Sequence, residues 1–205
     1  DVEVDSANVT IDNFEITCDF DAVAGMFDVD ADYFTFRNNR VLMTSGTTIQ
    51  ASRVILADST NVVSSMLIEN NQFIGDTTVG VSAAVRFSGG SYHTIRNNYF
   101  WGNFDTTSGG AIVSGADAAL QLTIANNVIS NMAATSAGCV RLLAATTGAM
   151  YNNYLSITLD TAPTGADICL ITAGSMRLFE NQCSTDSGEV GSPFGAAVSG
   201  GTPAT

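Results

Sequence analysis

Ile95-Arg96-Asn97-Asn98-Tyr99-Phe100 sets the frame of the whole chain: an apolar residue, a variable one, two asparagines, a variable one and an apolar one. The frame recurs at Phe36-Arg37-Asn38-Asn39-Arg40-Val41, Ile68 to Phe73, Ile124 to Ile129 and Met150 to Leu155. Sixteen asparagines among 205 residues would rarely fall into five doublets at random, so the doublets mark an internal repeat. Weaker copies flank them, Ile11-Asp12-Asn13-Phe14-Glu15-Ile16 before and Phe179-Glu180-Asn181-Gln182-Cys183-Ser184 after. The first asparagine of each copy falls at 13, 38, 70, 97, 126, 152 and 181, giving spacings of 25, 32, 27, 29, 26 and 29 and a mean of 28.

Working outward, each unit holds a second short apolar stretch. Examples are Val54-Ile55-Leu56, Ala84 to Phe87, Ala111-Ile112-Val113, Val140 to Leu143 and Ile168 to Ile171. Their β-branched and aromatic content predicts strands rather than helix pairs, and no unit carries the spacing of a leucine-rich repeat. Loops are expected at Asp76 to Gly80, Asp105 to Gly109, Thr135 to Gly138 and Asp160 to Gly165, where Asp, Ser, Thr and Gly supply local side-chain bonds and permissive φ.

Short strands, asparagine turns and this coil length together resemble the right-handed parallel β-helix superfamily, which includes pectate-lyase-like enzymes and bacteriophage tailspikes. The resemblance covers residues ~10 to 185 and implies an all-β solenoid of about seven coils, a rod on the order of 30 to 35 Å long at ~4.8 Å per coil. One β-helix domain is expected over 1–186, with a flexible or partner-bound C-terminal tail over 187–205. In such a coil Asn tolerates the left-handed turn, and its amide both donates and accepts, so copies one coil apart can bond along the axis. A structural ladder is therefore expected at Asn38, Asn70, Asn97, Asn126, Asn152 and Asn181. The residue before the first asparagine should face outward, reading Asp12, Arg37, Glu69, Arg96, Ala125, Tyr151, Glu180 down the stack, the first four alternating in sign.

Composition narrows the partners. With 7 arginines, no lysine and 20 acidic residues, the net charge is −13, so a broad cationic surface for nucleic acid or anionic lipid cannot be built. No run approaches the ~18 apolar residues of a helical membrane span. Neither a nucleic-acid nor a membrane partner is expected. Four cysteines without a CxxC pair read as buried thiols, with Cys139 and Cys169 in equivalent strands of successive coils.

Candidates for chemistry are few. The acidic stretch Asp28, Asp30 and Asp32 alternates with apolar residues and reads as a solvated strand face, with no Ca²⁺-loop pattern and no metal expected. The turn residues Asp76, Asp105 and Asp160 could stand about 5 to 10 Å apart across coils, the separations that glycosidases use, which makes them the catalytic candidates of an enzymatic reading. A repeat-wide Asp-Thr motif is explained by turn chemistry without any active site, so no catalytic residue is assigned. His93, the only histidine, shares a strand face with Ile95 and is expected in the core. The lyases of the resembled superfamily use calcium-holding acids and a basic side chain, and Arg37, Arg96, Arg141 and Arg177 sit in no matching motif.

Tyr99 and Trp101 flank the inner Phe100, and Val128 and Tyr154 follow Tyr99 in the next coils. Tyr99, Trp101 and Tyr154 are the expected binding residues, forming an aromatic strip that stacks on sugar rings or is buried against another chain. The resemblance to homotrimeric β-helices favours burial by a partner. The expectation is a non-enzymatic virion surface protein of a tailed bacteriophage, of tailspike, head fibre or capsid decoration type, extracellular and without a cofactor. Its partners would be its own copies in a homotrimer, other virion proteins and a host surface glycan. The alternative is an extracellular polysaccharide lyase or glycoside hydrolase.

Overall fold

The computed structural model describes residues 2–19, 25–44, 53–57, 62–76, 81–104, 109–132, 138–157 and 168–185. The chain winds three short strands per turn. The first turn is β1 (Val2–Val4), β2 (Thr10–Asp12) and β3 (Glu15–Asp19); the second is β4 (Gly25–Val29), β5 (Thr35–Arg37) and β6 (Arg40–Thr44). β7 (Arg53–Ala57), β8 (Leu67–Glu69) and β9 (Gln72–Ile74) follow, then β10 (Ala83–Phe87), β11 (Thr94–Arg96) and β12 (Tyr99–Gly102). The fifth turn is β13 (Gly110–Ser114), β14 (Leu122–Ala125) and β15 (Val128–Asn131). In the last two turns the first two strands fuse, giving β16 (Gly138–Tyr151) with β17 (Tyr154–Ile157), and β18 (Cys169–Phe179) with β19 (Gln182–Thr185). Among the described residues the fold is therefore an all-β parallel solenoid, with five turns of three separate strands and two with a fused strand.

Every strand pairs in parallel with its counterpart one turn away. One face stacks β1-β4-β7-β10-β13-β16, a second stacks β2-β5-β8-β11-β14-β16, and the third stacks β3-β6-β9-β12-β15-β17-β19. Because side chains alternate along a strand, each face sends one column inward and its neighbours outward. The second face contributes Ile11, Phe36, Ile68, Ile95, Ile124, Met150 and Leu178 to the interior. The third contributes Ile16, Val41, Phe73, Phe100, Ile129, Leu155 and Cys183. Phe73 and Phe100 stack with centroids 4.8 Å apart and planes within 3°. Each such side chain taken out of water stabilises the fold by about 1.5–3 kcal/mol. Register is consequently strict, since a one-residue slip would turn an entire column outward.

The corner between second and third faces is where the asparagines sit, and it follows a different division of labour from the one expected. The first position of each copy, Asn13, Asn38, Asn70, Asn97, Asn126 and Asn152, takes φ between 53° and 65° and supplies the left-handed turn. The ladder runs instead through the second position. Oδ1 of Asn98 accepts from the backbone N–H and from Nδ2 of Asn71, both at 3.0 Å, and Oδ1 of Asn127 serves Asn98 in the same way. Asn153 and Asn181 continue the chain, and Asn39 begins it by accepting from the Phe14 N–H at 2.9 Å. Each Nδ2 also donates to an inner carbonyl, as Asn98 does to Ile68 at 2.9 Å.

So of the residues expected in the ladder, Asn38, Asn70, Asn97, Asn126 and Asn152 form the turn, with one exposed axial bond from Asn70 Nδ2 to Asn38 Oδ1 at 3.4 Å, and Asn181 alone carries the buried chain. The physical reason is that a left-handed residue swings its own side chain out of the corner and aims the next one in. In the last copy Glu180 takes the turn, with φ 56°, which shifts the frame by one. The outward column accordingly reads Asp12, Arg37, Glu69, Arg96, Ala125, Tyr151 and Phe179, with Phe179 where Glu180 was expected. Arg37 pairs with Asp12 at 2.8 Å and Arg96 with Glu69 at 2.7 Å, while the Tyr151 and Phe179 rings stack at 4.9 Å. The Asn38 amide and the Arg37 guanidinium hold the Asp12 carboxyl below the usual carboxylate range.

Candidate functional site

The outer side of the third face starts one residue after each ladder position. Its first column is Glu15, Arg40, Gln72, Tyr99, Val128, Tyr154 and Gln182. Its second, two residues on, includes Thr17, Leu42, Ile74, Trp101, Ser130, Ser156 and Ser184. Neighbours within a column stand about one strand spacing apart, ~4.8 Å.

Tyr99, Val128 and Tyr154 are 40%, 40% and 43% exposed, so three consecutive turns present apolar surface to solvent. Trp101 is half-buried beside Ile74, and Tyr154 bonds Ser184 through its hydroxyl at 3.1 Å. Tyr99 and Trp101 thus share one strand, with Tyr154 two turns along. Leu42 and Ile74 extend the strip toward the first turns and were not singled out from the sequence. Reading the first and third residues after every doublet as one surface would have found them.

Where that face meets the asparagine corner, an open groove of about 350 Å³ lies over the first three turns. Asn13, Asn38 and Asn70 form one side, Glu15, Arg40 and Gln72 the other, with Phe14 at the end and Asn39 below. Phe14 occupies the position that a ladder asparagine takes in every later turn. Its ring has no place in a column of amides, and it stands 58% exposed.

Asp76 is half-buried and its carbonyl accepts from the Asn103 N–H at 2.8 Å. Asp105 and Asp160 lie outside the described residues, as does the expected tail 187–205. Asp32 caps a loop, its carboxylate accepting from the Ser64 N–H at 2.7 Å. Among the described residues no three His, Cys, Asp or Glu side chains are grouped to hold a metal ion, and no helix is long and apolar enough to cross a membrane.

His93 is fully buried in the column Phe34, Met66, His93, Leu122. Nδ1 accepts from the Met66 N–H at 3.4 Å and Nε2 donates to the Gly89 carbonyl at 3.1 Å, so both ring nitrogens are used. Burial pushes its pKa down, against the raising influence of the Gly89 bond. Cys139 and Cys169 are buried thiols, and Cys183 is half-buried. Cys169 stands beside Val140, which puts the first two in neighbouring columns. Burial pushes the Cys139 thiol far up and Cys183 up to about 11, which makes both inert at neutral pH.

The family described as right handed beta helix region matches residues 1–129. No curated protein and no solved structure matches the chain.

Proposed function

We propose, from the premise that this chain belongs to the right-handed β-helix family, that it serves as a non-enzymatic structural and adhesion element on the surface of a tailed bacteriophage virion. It would act as a rigid rod of tailspike, head fibre or capsid decoration type that stabilises the particle and contacts a host surface glycan. A homotrimer is the assembly that suits it.

The observation that supports this reading is the strip of Tyr99, Trp101, Val128 and Tyr154. From the third turn onward neither outward column of that face carries a charged residue, on a chain whose net charge is −13. Copies that repel one another over most of their surface can approach at an uncharged apolar strip, and aromatic side chains are the usual anchors of such contacts. The ladder at the adjoining corner holds its strands in fixed register.

Sedimentation equilibrium of the full chain and incubation with a panel of acidic and neutral polysaccharides test the reading together. A trimer that releases neither reducing ends nor unsaturated uronates is the expected result. Release of either, abolished by substituting Asp76, Asp105 or Asp160, would replace it with a lyase or glycosidase.

A further inference from the structure

We propose that the groove between the asparagine corner and the third face is a binding subsite for a neutral sugar, with Phe14 as its stacking platform and Asn13 and Gln72 as its hydrogen-bonding walls. This rests on the adhesion reading above and names both the ligand class and the place.

Four features point to that chemistry. First, Phe14 presents an exposed ring at the end of a polar groove, and an apolar ring face beside hydrogen-bonding groups matches a pyranose, which has C–H faces and a hydroxyl rim. Second, the floor is already satisfied, and so are the walls at Asn38, Asn70, Arg40 and Glu15, while two wall amides are not. Asn39, 2% exposed, accepts from the Phe14 N–H through Oδ1 and donates from Nδ2 to the Ile11 carbonyl, both at 2.9 Å. The side-chain amides of Asn13 and Gln72 bond no group among the described residues, so each offers a donor pair and an acceptor to a ligand.

Third, the groove is electrically balanced. Arg40 Nη1 lies 2.9 Å from Glu15 Oε2, and the neighbouring Arg37 is matched by Asp12. A guanidinium and a carboxylate side by side provide adjacent donors and acceptors for vicinal hydroxyls. With those charges cancelled locally and −13 on the chain, an anionic sugar gains nothing here and is repelled at long range. Fourth, the walls are rigid. Backbone bonds from Arg40 N–H to the Phe14 carbonyl at 2.8 Å and from Gln72 N–H to the Asn39 carbonyl at 2.9 Å fix the strands that carry them. The volume of about 350 Å³ lies at the small end of ligand sites, suited to a short segment of a glycan rather than a long one. The groove opens onto the first outward column, where Gln72 adjoins Tyr99 one turn along, so a longer chain could continue along the face.

Saturation-transfer NMR on the full chain tests this with short oligomers of glucose, mannose, galactose and rhamnose, and with oligogalacturonate and a sialylated oligosaccharide for comparison. A neutral oligomer is expected to bind and both acidic ones to stay silent. Phe14→Ala and Gln72→Ala should each weaken binding about tenfold, the size of one lost stacking or hydrogen-bonding contact. Both side chains are exposed, so melting should match the parent. Leu120→Ala, an exposed side chain at the corner between the first and second faces, away from both groove and strip, should bind like the parent. A neutral oligomer that binds both groove variants as tightly as the parent overturns the site and leaves the adhesion reading standing. Binding of the acidic oligomers alone overturns the ligand class. Silence toward every oligomer overturns the subsite and the glycan half of that reading together, while the trimer is judged separately by sedimentation.

Discussion

Asn97 turns the chain at φ 56° with its side chain in solvent, whereas the amide of Asn98 is sealed within the stack, using all of its hydrogen-bonding groups. The two positions should respond differently to substitution. Asn97→Gly keeps the left-handed turn and should change stability by less than about 0.5 kcal/mol, while Asn97→Ala should cost about 1 kcal/mol. Asn98→Ala strips partners from two Asn71 donors, the Ile68 carbonyl and Asn127 Oδ1, and should cost about 2–4 kcal/mol because buried groups are left unpaired. Urea midpoints of the three variants check this ordering. His93 carries a pH dependence whose sign follows from its burial. Its folded pKa is lowered, so the unfolded chain binds a proton first, and stability present above about pH 6.5 declines as the pH falls toward the folded value. Thermal unfolding between pH 8 and 5 should show that decline, and His93→Met should flatten it while lowering stability at pH 8, since Met66 N–H and the Gly89 carbonyl lose their partner.

At the scale of the strand, the corner between first and second faces is built in two ways. In the first five turns a left-handed residue closes it, at Asn8, Tyr33, Ser65, Tyr92 and Gln121, with φ from 57° to 64°. In the last two turns β16 and β18 run through without a break, and glycines take up the curvature, Gly148 at φ 142° and Gly174 at φ 112°. A Cβ on Gly148 would lie 1.9 Å from the Leu122 carbonyl oxygen, and one on Gly174 would lie 2.0 Å from that of Thr146. Backbone on the neighbouring turn cannot yield as a side-chain tip would. Gly148→Ala should therefore cost more than about 3 kcal/mol, whereas Ser65→Gly, at a corner that glycine suits, should be near neutral. Denaturant unfolding of the pair reads the difference, and protection of β16 and β18 amides from hydrogen exchange should fall in the first variant only.

For the whole molecule, charge and shape act together: a rod of net charge −13 on whose third face the two described outward columns carry no charge from the third turn onward. Val128 stands on that face between Tyr99 and Tyr154. Val128→Glu places a carboxylate in the middle of the proposed contact and should shift sedimentation from trimer to monomer, with the circular dichroism spectrum and melting of the isolated rod unchanged. A trimer that persists would move the contact to another face. The solenoid itself was legible in the residues, because a doublet of turn-forming amides recurring every 28 residues between apolar pairs makes a local chemical demand that only stacked short strands satisfy. The aromatic strip was legible for the same reason, since Tyr99, Val128 and Tyr154 hold the same place in successive copies. Three things belonged to the tertiary structure. Two identical letters cannot declare which amide faces inward, and the handedness of the turn decided that in favour of Asn39, Asn71, Asn98, Asn127 and Asn153. Glu180 took the turn that Asn181 was expected to hold, because stacking on the previous coil outweighs one residue's preference. The groove beside Phe14 exists only because a phenyl ring stands where the ladder needs an amide, a mismatch that becomes a surface once the turns are packed on one another.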